Sequence, residues 1–323
     1  MEEKKAVRGG AREKRNSMRA ARRKRVTFRC LMLLLPVAHF VLFWVIPNFR
    51  SILYAFQYNR VGADMFYHRE WSLIQFRFVW EELTRASGNQ LLSCIKFSLF
   101  YFVLGNGISL PATLLLSYFL YKKIFLYRFY RVVFFLPSII STVVLAILFR
   151  NFFDPVTGTI VKINEMLGGG SVPNFIGNPA TKHWAILAFT LWTGFGTNLL
   201  VFNGAIGRIP AEVMESTKLD GVGMTRELFQ FIVPLIWPTF STILLMSLGG
   251  FFSFVQPILL LEQESMGGNR FSEAGSIGYY IYYYMSTRKE LLSALGLCFT
   301  ALSVPVVFLV RWALNKLSSS IEY

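Results

Sequence analysis

Two glutamates three residues apart, framed by a proline and a glycine, are the most pointed chemical feature of this sequence. The stretch Arg208-Ile209-Pro210-Ala211-Glu212-Val213-Met214-Glu215-Ser216-Thr217-Lys218-Leu219-Asp220-Gly221-Val222-Gly223 predicts a short helix. Pro210 suits an early helical position and Gly221 a helix end, which leaves room for about ten residues between them. Glu212, Glu215 and Leu219 follow one another at spacings of three and four and so share a face, with Val213 and Met214 beside them. Such a helix could rest on a lipid surface as an amphipathic connector. It could also project as a short, rigid, partly acidic peg that docks into a groove of another protein, and the firm turn at Asp220-Gly221 favours that reading.

Bond-making chemistry is hard to find. The chain has no Gly-x-x-x-x-Gly-Lys-Ser/Thr phosphate loop, no His-Glu-x-x-His and no Gly-x-Ser-x-Gly. Cys30, Cys94 and Cys298 lie in or beside apolar stretches, and His39, His68 and His183 are scattered, so neither a disulfide framework nor a metal cluster is expected. No residue is assigned a catalytic or metal-binding role.

The elements that must carry the acidic helix follow from composition. Of 323 residues, 54% are hydrophobic, 16% aromatic and 16% charged, against ~25% charged in a soluble domain. A span needs ~20 mainly apolar residues, and six candidates meet this: roughly 30–54, 95–121, 132–153, 183–206, 231–261 and 291–314. The fifth is longer than one crossing requires and is expected to tilt or to extend beyond the membrane. Prolines interrupt several spans, which a membrane helix tolerates where neighbours or a wet cavity satisfy the freed backbone groups. A packed six-span bundle is therefore expected, giving an all-α membrane protein.

Orientation follows from the basic residues. Twelve Lys/Arg fall in the first 29 residues, and Lys122, Lys123, Arg128, Arg131, Arg208, Lys218, Arg226, Arg311 and Lys316 fall on the same side of a six-span chain, so that both termini are expected in the cytoplasm. The basic run is expected to be a topology signal with some attraction to anionic lipid rather than a nucleic-acid arm. Domain boundaries follow: a basic tail over 1–29, a six-span domain over 30–315 with the acidic loop at about 208–230, and a short tail over 316–323. Three outward segments are expected, at 57–94, 154–182 and 262–290; the last contains Gly267-Gly268-Asn269 and a tyrosine cluster at 279, 280 and 282–284 whose first reading is interfacial anchoring. Carboxylates within the spans are nearly missing, so uphill transport would draw its energy from a partner.

The pattern Ile209-Pro210, Glu215, Asp220-Gly221, Phe229, Ile232 and Pro234 resembles the cytoplasmic loop of permease subunits in ATP-binding-cassette importers, with Ser216-Thr217 where the family pattern has two alanines. Arg131, Phe134-Phe135-Leu136-Pro137-Ser138 and Gly249-Gly250-Phe251-Phe252 resemble the carbohydrate-importing branch, similar to the maltose/multiple-sugar permeases. The likeness covers about residues 30–315.

This resemblance implies a bundle of the type I importer permease kind in the cell membrane, forming half of a translocation path for a sugar or oligosaccharide. It implies a second permease subunit, two copies of a cytoplasmic ATPase that binds the ATP and Mg, and an extracytoplasmic solute-binding protein; no cofactor belongs to this chain. Glu212, Glu215, Leu219, Asp220 and Gly221 would couple to the ATPase. The substrate path is sought among polar or small mid-span residues: Asn106, Thr190, Trp192, Thr193, Gly194, Thr197, Asn198, Ser253 and Gln256, with Phe252 beside them. Trp192 and Gly194 match the segment that holds the sugar site in the related maltose permease, while each hydroxyl residue taken singly also fits plain helix packing. The alternative from another class is a self-contained carrier or channel for a small polar solute.

Overall fold

The computed structural model describes residues 24–61, 67–85, 89–256, 260 and 274–319. Most of the basic tail, Gly267-Gly268-Asn269 and the last four residues lie outside the described residues. The chain divides into two compact units, Met1–Gln75 and Phe76–Tyr323.

In the first unit, helix α1 (Lys24–Ala55) is long and apolar enough to cross a membrane, and its only buried residue is Ala55. Strands β1 (Gln57–Val61) and β2 (Tyr67–Trp71) then pair antiparallel with Gln57 opposite Trp71. Gln75 Nε2 donates to the Gln57 carbonyl at 3.0 Å and holds the base of this hairpin. The hairpin is the only sheet among the described residues.

The remaining elements are α2 (Ile74–Thr84), which runs across the unit boundary, then α3 (Gln90–Tyr121), α4 (Tyr127–Ile139), α5 (Thr142–Phe152), α6 (Thr159–Met166), α7 (Pro179–Ile206), α8 (Ala211–Leu219), α9 (Met224–Gly249), α10 (Ile277–Tyr284) and α11 (Lys289–Ser319). Asn89 caps α3 by accepting from Leu92 N–H, and Asn178 caps α7 by accepting from Ala180 N–H with Pro179 at the first turn, as orphan N-terminal donors require. Besides α1, helices α3, α7, α9 and α11 are each long and apolar enough to span.

Two of the expected spans are corrected. Residues 132–153 do not form one helix: α4 and α5 meet at 107°. The break falls at Ile140, whose backbone is extended (φ −81°, ψ 144°), three residues after Pro137. Counted as one bent pair, they bring the spanning elements to six. The fifth span, expected over 231–261 and to tilt or to extend beyond the membrane, is a helix over Met224–Gly249, with 257–259 and 261 outside the described residues. It ends at Gly249-Gly250, where two residues without side chains weaken the helix, and is followed by a 3-10 turn over Phe251–Ser253.

Prolines act elsewhere through a widened turn. The π-turns at Val41–Val45 and Leu228–Ile232 each end two residues before a proline, Pro47 and Pro234. An extra residue in the turn makes room for a ring that would otherwise meet the carbonyl four residues back.

The core of the second unit joins Leu110, Leu114 and Tyr118 of α3 with Phe202 and Ile206 of α7, Met214 of α8, and Leu228, Ile232 and Ile236 of α9. Alongside it, α7 packs closely on α4. A Cβ built on Gly196 would stand 2.7 Å from Ser138 Oγ and 3.0 Å from the Phe134 carbonyl oxygen. Gly196→Val is therefore expected to cost about 1–3 kcal/mol through overpacking, read as a lower Tm of the detergent-solubilised protein. Gly194→Ala, where a Cβ meets nothing within 4 Å, should leave the Tm at or above its native value; equal losses in both variants would remove the close-packing explanation.

Candidate functional site

The polar face of α3 sets one wall of a cavity. Ser98, Phe102, Gly105, Asn106 and Ser109 recur at helical spacing and all line it. Thr190, Gly194 and Asn198 of α7 form the opposite wall, and Ser247, Gly250, Phe251 and Phe254 close the side at the broken end of α9. The volume is about 210 Å³, and among the described residues no charged side chain lines it.

Several of these groups are held before any ligand arrives. Asn106 Nδ2 donates to the Phe102 carbonyl at 2.8 Å, which leaves its side-chain carbonyl without a donor among the described residues. Thr190 Oγ1 donates to the Ile186 carbonyl at 2.8 Å, and Asn198 Nδ2 reaches Ser109 Oγ at 3.4 Å. Near one end of the cavity, Tyr101 donates to the Ala274 carbonyl at 2.9 Å, while its ring lies 5.1 Å from that of Phe254. Ser98 Oγ accepts from Ile277 N–H at 2.8 Å, and Ser276 Oγ donates to the Phe254 carbonyl at 2.7 Å. The segment after the break in α9 is thus fastened to α3. Gly278 is part of that fastening, since a Cβ there would stand 2.5 Å from the Phe254 carbonyl oxygen.

Of the substrate-path residues expected from sequence, Asn106, Thr190, Gly194 and Asn198 come together here. The others do not. Trp192 lies on another face of α7 and lines a separate apolar cavity of about 420 Å³ with Phe149, Phe152 and Phe153. Thr193 Oγ1 donates to the Phe189 carbonyl at 2.9 Å, and Thr197 is exposed outside the cavity. Phe252 stacks on Phe299 of α11 at 4.7 Å, while Ser253 and Gln256 follow the break in α9 outside the cavity lining. Sequence reasoning missed Ser98, Tyr101, Phe102, Ser109, Ser247 and Phe254. The available signal was the run of small and polar residues at helical spacing along α3. In the tyrosine cluster, Tyr279 and Tyr280 are buried, while Tyr282 and Tyr283 are about half exposed, so the cluster divides between packing and surface.

The acidic loop forms a second site. Pro210 is the N-cap of α8, and its C-terminus closes with Gly221 N–H donating to the Lys218 carbonyl and Val222 N–H to the Thr217 carbonyl, both at 3.1 Å. Gly221 takes φ +66°, the left-handed conformation that this paired-bond helix ending requires. Glu212, Glu215, Leu219 and Asp220 are all exposed, Leu219 by 89%, while Met214 and Thr217 are buried. Thr217 Oγ1 donates to the Met214 carbonyl at 3.0 Å, so its hydroxyl is satisfied inside α8 despite its burial. The helix is anchored by one face and presents its acidic and apolar residues on the other. Among the described residues no group of three or more His, Cys, Asp or Glu could hold a metal ion.

Residues 109–321 match the family described as binding-protein-dependent transport system inner membrane component. The chain is 29% identical to a probable ABC transporter permease of Mycoplasma genitalium, over 84% of this chain and 83% of that protein. It is 25% identical to the arabinooligosaccharides transport system permease of Bacillus subtilis, over 66% and 67%. Among solved structures, a bacterial ABC transporter involved in the import of the acidic polysaccharide alginate shares the fold, with a TM-score of 0.74, 22% identity, and coverage of 93% of this chain and 98% of that one.

Proposed function

This chain belongs to the binding-protein-dependent transport system inner membrane components, the permease subunits of ATP-driven importers, and we propose that its solute is a sugar or an oligosaccharide. The observation that carries the proposal is the cavity between α3, α7 and the end of α9. It offers amide and hydroxyl groups from Asn106, Asn198, Ser98 and Ser247, with the rings of Tyr101, Phe102, Phe251 and Phe254, and no charge among the described residues. A sugar needs that mixture: hydrogen-bond partners for its hydroxyls and apolar faces for its C–H surfaces. The arabinooligosaccharide relative supports the same class.

In this reading the chain forms half of the path beside a second permease subunit. Both termini and α8 lie in the cytoplasm, where Glu215 and its neighbours enter a groove of an ATPase present in two copies. ATP and Mg are bound by that partner, which carries out the hydrolysis, and a solute-binding protein delivers the solute from outside. Closure of the ATPase pair moves α8, and the spans switch the side on which the cavity opens, as coupling through a two-state element requires.

Affinity purification of the tagged protein from its own membranes, followed by mass spectrometry, tests the assembly. Recovery of an ATPase with a phosphate loop and a second spanning subunit supports it, after which any recovered binding protein is screened for thermal stabilisation by oligosaccharides. Binding of peptides or inorganic ions, with no shift from any sugar, would overturn the substrate class. Recovery of the chain alone as a stable homo-oligomer would overturn the assembly.

A further inference from the structure

The end of α3 and the start of α9 share a partly buried ion pair, 105 residues apart in sequence. Lys122, the C-cap of α3, places Nζ 2.7 Å from Oε2 of Glu227 in the first turn of α9. The Glu227 side chain is only 4% exposed and that of Lys122 20%. The Tyr118 hydroxyl lies 3.2 Å from the same carboxylate oxygen and 3.3 Å from the Met224 carbonyl, so its single proton is shared between two acceptors. Lys122 Nζ also stands 5.6 Å from the centre of the Tyr118 ring. Each charge suits its own helix, a cation at the C-terminus of α3 and an anion at the N-terminus of α9.

As mere attachment this arrangement is redundant and costly. Met214, Leu228 and Ile232 already pack against Leu114 and Tyr118 there. Glu227 Oε1 is buried without a hydrogen-bond partner among the described residues, and burying a pair of charges is often no more stable than burying apolar residues of the same size. What the pair adds is a directional link between two particular helix ends. It sits at the root of the loop bearing α8, and Tyr118 is nine residues along α3 from Ser109, about 13 Å from the cavity wall.

We infer that Lys122, Glu227 and Tyr118 form a positioning tie that makes the base of α8 and the α3 wall of the cavity move as one body when the ATPase closes. This rests on the importer reading above and names the element that carries its stroke. Nitroxide labels at Ala211→Cys on α8 and Leu115→Cys on α3, both exposed sites, in the assembled transporter with its three native cysteines replaced by alanine, report their separation by pulsed electron resonance. With the native pair, the separation should be the same without nucleotide and with ATP and vanadate. In Glu227→Gln it should differ between the two states, and solute moved per ATP hydrolysed should fall about tenfold, within the range by which single positions change coupling.

A neutral double variant separates the tie from simple damage. Lys122→Met with Glu227→Gln removes the unpaired charge, so Tm should return towards the native value while coupling stays low; Lys122→Arg, which keeps the charge, should retain coupling. If the double variant recovers both Tm and coupling, the pair serves stability alone and the tie is wrong. A label separation that changes with nucleotide in the native pair also overturns it. If no ATPase accompanies the native chain, the importer reading itself fails, a result distinct from a coupled transporter that ignores Glu227→Gln.

Discussion

Glu215→Lys should leave the protein in the membrane at native abundance and lower solute uptake by at least about tenfold, the effect of about 1.4 kcal/mol lost from docking. The side chain is exposed on α8 with no intramolecular partner among the described residues, so the fold has little to lose from its reversal. Under the proposed coupling the loss belongs to the contact with the ATPase, where a carboxylate changed to an ammonium would leave a basic partner facing a like charge. Gly221→Val reaches the same phenotype from the backbone. At φ +66° a β-branched residue costs of order 1–3 kcal/mol, enough to unwind the ending of α8 while the spans stand. Uptake by intact cells and pull-down of the ATPase check both variants together. Native uptake in both would remove α8 from the coupling role, and loss of the chain from the membrane would convert the effect into one of folding.

What the sequence made legible about α8 was local. Pro210 and Gly221 act within a residue or two of where they stand, and the expected helix of about ten residues appears as the nine of Ala211–Leu219. The long spans were legible for the same reason: apolarity summed over a window survives errors at its ends. The break in α9 was not, because Phe251 to Leu261 continues the apolar run and masks the end imposed by Gly249-Gly250. The bend between α4 and α5 was equally hidden, since Pro137 marks a weak point without giving an angle.

At the cavity, period mattered more than position. Thr190, Gly194 and Asn198 are separated by four residues and share a wall, whereas Trp192, Thr193 and Thr197 occupy the same depth on other faces. A list of mid-span polar residues mixes the two sets. Lys122 and Glu227 lay beyond reach altogether, as nothing in either segment indicates a partner 105 residues away.

The cavity makes its own prediction with a larger effect than any single lost hydrogen bond. Gly194 of α7 and Gly105 of α3 both line it, and a Cβ on either meets nothing within 4 Å. A side chain therefore enters without disturbing the backbone, and a phenyl ring takes a large share of about 210 Å³. Gly194→Phe should lower uptake about a hundredfold or more, because the ring would occupy space that the proposed solute needs. Membrane abundance, Tm and recovery of the ATPase should stay native. Gly204→Phe serves as the control: it places the same ring on the same helix, at an exposed position with equal room and outside the cavity, so uptake should stay near native. Equal loss in both variants would assign the effect to lipid or partner contacts of α7. Native uptake in Gly194→Phe would mean that the solute passes elsewhere, and the polar face of α3 would then be left with a packing role only.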